Sequence, residues 1–238
     1  MRTPSRAVRY SLAGALLSFG EPIGLLLVRE LHGAPAIMTE LARERVIYLY
    51  VFLTTAVILA VVGYVLGRQT DRLAALSETD ILTQLANRRA LRRRLTDEIR
   101  RASRYRSPVS LLLVDVDGLK RINDEHGHAA GDRQIRRVAG SIAATLRGSD
   151  LGARWGGDEF AVVMPNATPD AARHLAERIM THLAEHRGEP DLPATISIGI
   201  ATFDPSRTPD ITLEQLAQSA DEALYAAKKS GRNRIHAA

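Results

Sequence analysis

The longest apolar run, Val46 to Leu66, carries no formal charge. It is about the length needed to cross a hydrocarbon core. Tyr48, Tyr50 and Tyr64 lie near its ends, where interfacial aromatics belong, and Arg43, Arg45, Arg68 and Arg72 flank it. A membrane span is expected here rather than a buried globular helix. Ala7 to Val28 is a second, weaker apolar run, broken by Glu21-Pro22. An ionisable group inside a span is costly and marks either a functional group or one facing a partner helix or an interface. A signal peptide is the competing reading, with Arg2, Arg6 and Arg9 as its basic region and Ala34-Pro35-Ala36 as a poor cleavage site. Retention is expected, giving two transmembrane helices, about 7–28 and 46–66, in a membrane anchor of residues 1–66. Arginine counts then leave everything after Leu66 on the cytoplasmic face of the inner membrane, multi-pass, and the cleaved-signal alternative leaves it on the same side.

Residues 67–79 read as a helical linker. Leu66, Leu73, Leu76 and Asp80 approximate heptad spacing, too short a stretch to establish a coiled coil; a solvated tether is the alternative. From Asp80 the pattern changes. Asp80 to Arg106 reads as a capped helix with an apolar stripe of Leu91, Leu95 and Ile99, and nine arginines lie between Arg88 and Arg106. Such a run is most simply a solvated face, with headgroup or phosphate contact as the second reading. Val109 to Val116 is a short apolar strand. Ile135, Val138, Ala139, Ile142 and Leu146 mark a helix, Leu151 to Met164 a hairpin, and Leu175, Ala176, Ile179 and Leu183 a second helix. Ala194 to Phe203 is a strand, Leu213 to Ala227 a third helix, and Asn233 to His236 an edge strand. The order β-α-β-β-α-β predicts an α+β, ferredoxin-like antiparallel sheet with helices on one face, in a domain of residues 80–238.

The 238 residues hold no cysteine, which removes disulfides, thiolate catalysis and cysteine-ligated zinc. A formal net charge of +5 points to anionic partners such as nucleotide phosphates or lipid headgroups, without indicating a nucleic-acid polymer.

The chemistry gathers around Arg154-Trp155-Gly156-Gly157-Asp158-Glu159-Phe160. Gly156 and Gly157 between two strand-like runs predict a tight turn with φ > 0 at both glycines. Asp158 and Glu159 follow at once, and such a tip can hold a metal and a phosphate together; solvated acids on an ordinary hairpin are the plain alternative. Asp115-Val116-Asp117 ends the neighbouring strand, so carboxylates from two adjacent elements can share Mg²⁺ with substrate phosphates. Asn123 and Asp132 are suited to a purine edge, or to capping a helix. Lys228 and Arg232 are placed for phosphates, or simply for a helix C-terminus.

These motifs resemble those of the GGDEF family, the catalytic domains of diguanylate cyclases. The likeness runs through Asp80-Ile81-Leu82-Thr83, Asn87-Arg88-Arg89, the Asp115–Asp132 stretch, Gly156–Phe160, Ile196-Ser197-Ile198-Gly199 and Asp221–Asn233. Several ordered motifs are far more specific than one pentapeptide. The resemblance implies that two GTP molecules, one per subunit of a homodimer, condense to cyclic di-GMP and two pyrophosphates. It implies Asp115, the Val116 carbonyl and Asp158 as ligands of Mg²⁺ or Mn²⁺, and Asp158 or Glu159 as the group that deprotonates the ribose 3′-hydroxyl. Asn123 and Asp132 would read guanine, with Lys120 and His128 nearby; Lys228 and Arg232 would hold phosphates beside Gly156 and Gly157. Arg147-Gly148-Ser149-Asp150 matches the family's inhibitory site for its product, with Arg101 and Arg154 as further contacts; a surface salt bridge or turn is the alternative. Gln84 and Leu119 depart from the family pattern, which usually has glycine and often an aromatic there. A catalytically silent nucleotide-binding membrane receptor is the alternative function, and a cyclase of altered base choice the third.

Overall fold

The computed structural model describes residues 6–18, 20, 24, 28, 31, 37–76, 78–186, 194–208 and 210–238. The chain divides into two units, Met1–Ser77 and Glu78–Ala238.

The first unit contains α1 (Arg6–Leu17) and the 40-residue α2 (Ile37–Leu76). Within α2, the 26 residues Arg45–Thr70 are long and apolar enough to cross a membrane; among the described residues no other helix is. Of the second expected span, about 7–28, α1 covers the first half as far as Leu17; most of the rest, with Glu21-Pro22, and the Ala34-Pro35-Ala36 stretch lie outside the described residues. Large apolar side chains such as Val46 and Ile58 point outward from α2. Two glycines let α1 lie close against it, since a Cβ on Gly14 would collide with the Leu59 backbone and one on Gly63 with that of Tyr10. The expected linker continues α2 without a break as far as Leu76.

In the second unit six strands pair in the order β1-β3-β4-β2-β5-β6. They are β1 (Ala86–Asn87), β2 (Val109–Val116), β3 (Leu151–Arg154), β4 (Glu159–Pro165), β5 (Ile196–Phe203) and β6 (Ile235–Ala237). The inner four, β3-β4-β2-β5, are antiparallel and carry the ferredoxin-like order. The edges correct the antiparallel expectation, because β1 pairs parallel to β3 and β6 parallel to β5.

The helices are α3 (Arg88–Tyr105), α4 (Leu119–His126), α5 (His128–Thr145), α6 (Pro169–Glu185) and α7 (Leu213–Lys229). They cover both faces, not one. Leu112, Val114, Phe160 and Val162 pack on Val138, Ile142, Leu175 and Ile179 of α5 and α6. Leu111, Leu113 and Val163 face Leu91 and Leu95 of α3 and Leu216 and Leu224 of α7. All eight residues of β2 are buried, as a strand covered on both faces requires.

The expected helix start at Asp80 is also corrected. Asn87 is the N-cap of α3 and accepts from the Ala90 N–H at 3.0 Å. Asp80 instead closes a loop by accepting from the Thr83 N–H at 2.9 Å and its hydroxyl at 2.8 Å. Gln84 turns this loop with φ +59°, a left-handed backbone that suits glycine far better than glutamine.

Candidate active site

Residues spread through the sequence meet where β2 ends and β4 begins. Asp115 stands directly opposite Glu159 in the β2–β4 register, and the Val116 N–H donates to the Asp158 carbonyl at 3.1 Å. Asp115 is 7% exposed. Burial pushes its carboxyl above the ordinary range, the charges of Asp158 and Glu159 push the same way, and Lys228 opposes them. The Lys228 ammonium lies 2.7 Å from Asp115 Oδ2. It comes from the end of α7, drawn onto β5 by Gly199, where a Cβ would sit 2.7 Å from the Leu224 Cα.

This cluster fits a divalent cation. It concentrates carboxylates around a buried oxygen and already draws a cationic group onto it. Among the described residues no three His, Cys, Asp or Glu side chains converge as a cage. Mg²⁺ needs no such cage, since it is usually held by one or two carboxylates with water and phosphate.

The two signature glycines do not have the expected φ > 0; among the described glycines only Gly118, Gly127 and Gly231 do. The turn is held by a side chain instead. Arg154 donates from Nε to the Gly156 carbonyl at 3.1 Å and from Nη2 to the Gly157 carbonyl at 2.7 Å. Its Nη1 meets Asp80 Oδ1 at 3.3 Å, so the clamp ties the loop before α3 to the turn. Burial raises the Asp80 carboxyl, but hydrogen bonds from Thr83 and the charge of Arg154 outweigh it and hold it below the usual range. The Arg88 guanidinium lies over the Trp155 ring, 4.6 Å from its centroid. Gly156 is small because Glu159 needs the room: a Cβ there would lie 2.6 Å from the Glu159 carboxylate. Gly157 is exposed, with open space above it.

Lys120 and Asn123 ride on α4, which joins α5 at Gly127 with φ +79°. The Asn123 side chain fills the space a Cβ on Gly131 would take, beside Asp132 in the early turns of α5. His128 opens α5 and is exposed. Arg232 is exposed on a turn with φ +60°, just beyond Lys228.

Arg147 and Asp150 form the tight turn into β3, where Asp150 Oδ2 accepts from the Arg147 N–H at 3.0 Å. Arg101 lines a 480 Å³ cavity with Arg94, Glu98 and Ser149. The structure does not bring Arg154 to this place: it sits at the opposite end of β3 from Asp150, and its guanidinium is committed to the clamp. Sequence reasoning missed that clamp, although Asp80 and Arg154 both belong to the motifs it singled out. It also missed the pairing of Lys228 with Asp115.

The profile described as "Diguanylate cyclase, GGDEF domain" matches residues 77–234. The diguanylate cyclase DosC of Escherichia coli is 44% identical over 161 residues, 66% of this chain and 34% of that protein. The diguanylate cyclase DgcP of Pseudomonas aeruginosa is 41% identical over 164 residues, 67% of this chain and 24% of that protein. The chain thus spans well under half of these relatives. The GGDEF domain of DgcB from Caulobacter crescentus, solved in complex with c-di-GMP, superposes with a TM-score of 0.62 at 32% identity, covering 67% of this chain and 92% of that one. With its acids, its glycine turn and its Asn123–Asp132 pair arranged on this fold, the chain belongs to the diguanylate cyclase GGDEF-domain family.

Proposed function

We propose that the Glu78–Ala238 unit condenses two GTP molecules to cyclic di-GMP and two pyrophosphates, with one GTP held by each subunit of a homodimer. The observation that carries this reading is the cross-strand meeting of Asp115 with Glu159, beside Asp158 and under Lys228. Asp115, Asp158 and the Val116 carbonyl hold Mg²⁺ or Mn²⁺, which when bound supplies the positive charge that phosphoryl transfer needs. Asp158 or Glu159 accepts the proton of the ribose 3′-hydroxyl. The 3′-oxygen of one GTP bonds the α-phosphorus of the other, and pyrophosphate leaves; the second half-site repeats the exchange. Lys228 and Arg232 hold the phosphates, and the open space over Gly157 lets them approach the turn. Asn123 and Asp132 read guanine, with Lys120 and His128 at the rim.

Arg147 and Asp150, with Arg101 across the neighbouring cavity, form the inhibitory site for cyclic di-GMP; an arginine fork and an acceptor carboxylate suit a guanine edge and a phosphate. Arg45–Thr70 anchors the enzyme in the inner membrane with the catalytic unit on the cytoplasmic side. Its outward-facing apolar side chains and flanking arginines support this.

The test is incubation of the full chain in nanodiscs with GTP and Mg²⁺, with products identified by mass spectrometry. Cyclic di-GMP and pyrophosphate are expected. Nucleotide binding without product, under conditions where the chain is dimeric, would support the silent receptor instead.

A further inference from the structure

Asp117 is the one acid of the Asp115-Val116-Asp117 run left without a part in this chemistry. Its carboxylate turns toward β5 and the C-terminal turn, where donors surround it. Oδ1 accepts from the Ser197 hydroxyl at 2.7 Å. Oδ2 accepts from the Thr195 hydroxyl at 2.9 Å and from the Asn233 N–H at 3.1 Å. The Asp117 N–H donates to the Thr195 carbonyl at 2.9 Å, which fixes the backbone as well.

The turn it grips is an improbable one. Gly231, Arg232 and Asn233 have φ of +115°, +60° and +46°, a left-handed run that residues with side chains avoid. The Arg232 N–H reaches back to the Ala227 carbonyl at 3.1 Å, and the next N–H, that of Asn233, goes to Asp117. A backbone N–H fixed on a carboxylate is a strong restraint on such a turn. Arg232 sits inside it, between the end of α7 and β6.

We propose that Asp117 is a positioning residue: it leaves the metal to Asp115 and Asp158, and pins the left-handed turn so that Arg232 is presented to the nucleotide phosphates. This rests on the phosphate-binding part assigned to Arg232 above.

The test uses the full chain in nanodiscs and a double-mutant cycle of Asp117→Ala and Arg232→Ala. The readouts are affinity for a non-hydrolysable fluorescent GTP analogue, KM and kcat for GTP, and Mn²⁺ binding without nucleotide followed by electron paramagnetic resonance. Each single variant should weaken analogue binding about tenfold, the loss of one charge-assisted contact, with KM rising alike. The double variant should be no weaker than Arg232→Ala alone. Asp117→Asn should recover most of the loss, because its amide oxygen still accepts from the Asn233 N–H and a hydroxyl can turn to accept from its amide. Mn²⁺ affinity should match that of the wild type in both Asp117 variants. Additive losses in the cycle would overturn the proposal, and so would loss of Mn²⁺ binding in both variants, which would make Asp117 a ligand. Should Asp117→Ala fail to fold, Asp117→Ser takes its place in the cycle. If the wild type binds the analogue but forms no cyclic product, the proposed reaction fails while the coupling is still read from binding.

Discussion

Replacing Gly131 with alanine should separate stability from nucleotide recognition. A Cβ at this position would enter the space held by the Asn123 amide, whose Oδ1, Cγ and Nδ2 are the three atoms nearest to it. Gly131 lies inside α5, where alanine is favoured over glycine by about 1 kcal/mol. Moving Asn123 to an unfavourable rotamer costs about 0.5–1.5 kcal/mol. The two nearly cancel, so stability should change by less than about 1 kcal/mol, roughly 2–4 °C in Tm for a domain of this size. Recognition has no such compensation. Asn123 would lose one or two hydrogen bonds to guanine, each about 0.5–1.5 kcal/mol, so affinity for GTP should fall about tenfold. The assay is thermal denaturation together with titration of a fluorescent GTP analogue. Unchanged affinity would refute the placing of Asn123 at the base. A Tm loss of more than about 6 °C would refute the claim that Asn123 alone absorbs the new methyl group.

Lys228→Ala should bind Mn²⁺ more tightly without nucleotide, by up to about fivefold, while weakening GTP, because the lysine competes with the ion for Asp115; calorimetry of both ligands checks this. Asp115 titrates above its ordinary value of 3.8, so the fold takes up its proton more readily than the unfolded chain does, and the fold loses stability as pH rises from that value through the raised one. Asp115→Asn should therefore flatten this loss in metal-free Tm measurements across that window while abolishing turnover; a steeper loss than in the wild type would contradict the sign. Arg154→Ala removes charge-assisted bonds to two carbonyls and Asp80, and should cost about 2 kcal/mol by denaturant titration.

Much of this was legible in the sequence because local patterns carried it. The β-α-β-β-α-β order followed from apolar runs and stripes, and Asp115, Asp158 and Glu159 were adjacent to strand ends in a way that forced them together. What was misread depended on distant partners. Asp80 precedes a run of helix formers, so it looked like a cap; its true partners are Thr83 and Arg154, the latter reached only through the fold. The glycine turn looked like a left-handed hairpin because no local signal shows that Arg154 holds its carbonyls. Strand direction at the edges was illegible, since β1 and β6 are two and three residues long. The unbroken apolar character of β2 did signal burial on both faces, and placing all helices on one face ignored it.

The proposed reaction requires a divalent cation held where β2 and β4 meet. A crystal structure of the Glu78–Ala238 unit with Mn²⁺ and a non-hydrolysable GTP analogue tests it most directly. Anomalous scattering should place the ion against Asp115, Asp158 and the Val116 carbonyl, with Lys228 moved from Asp115 to a phosphate. An ion bound elsewhere, with Lys228 still on Asp115 and the nucleotide away from Glu159, would contradict it.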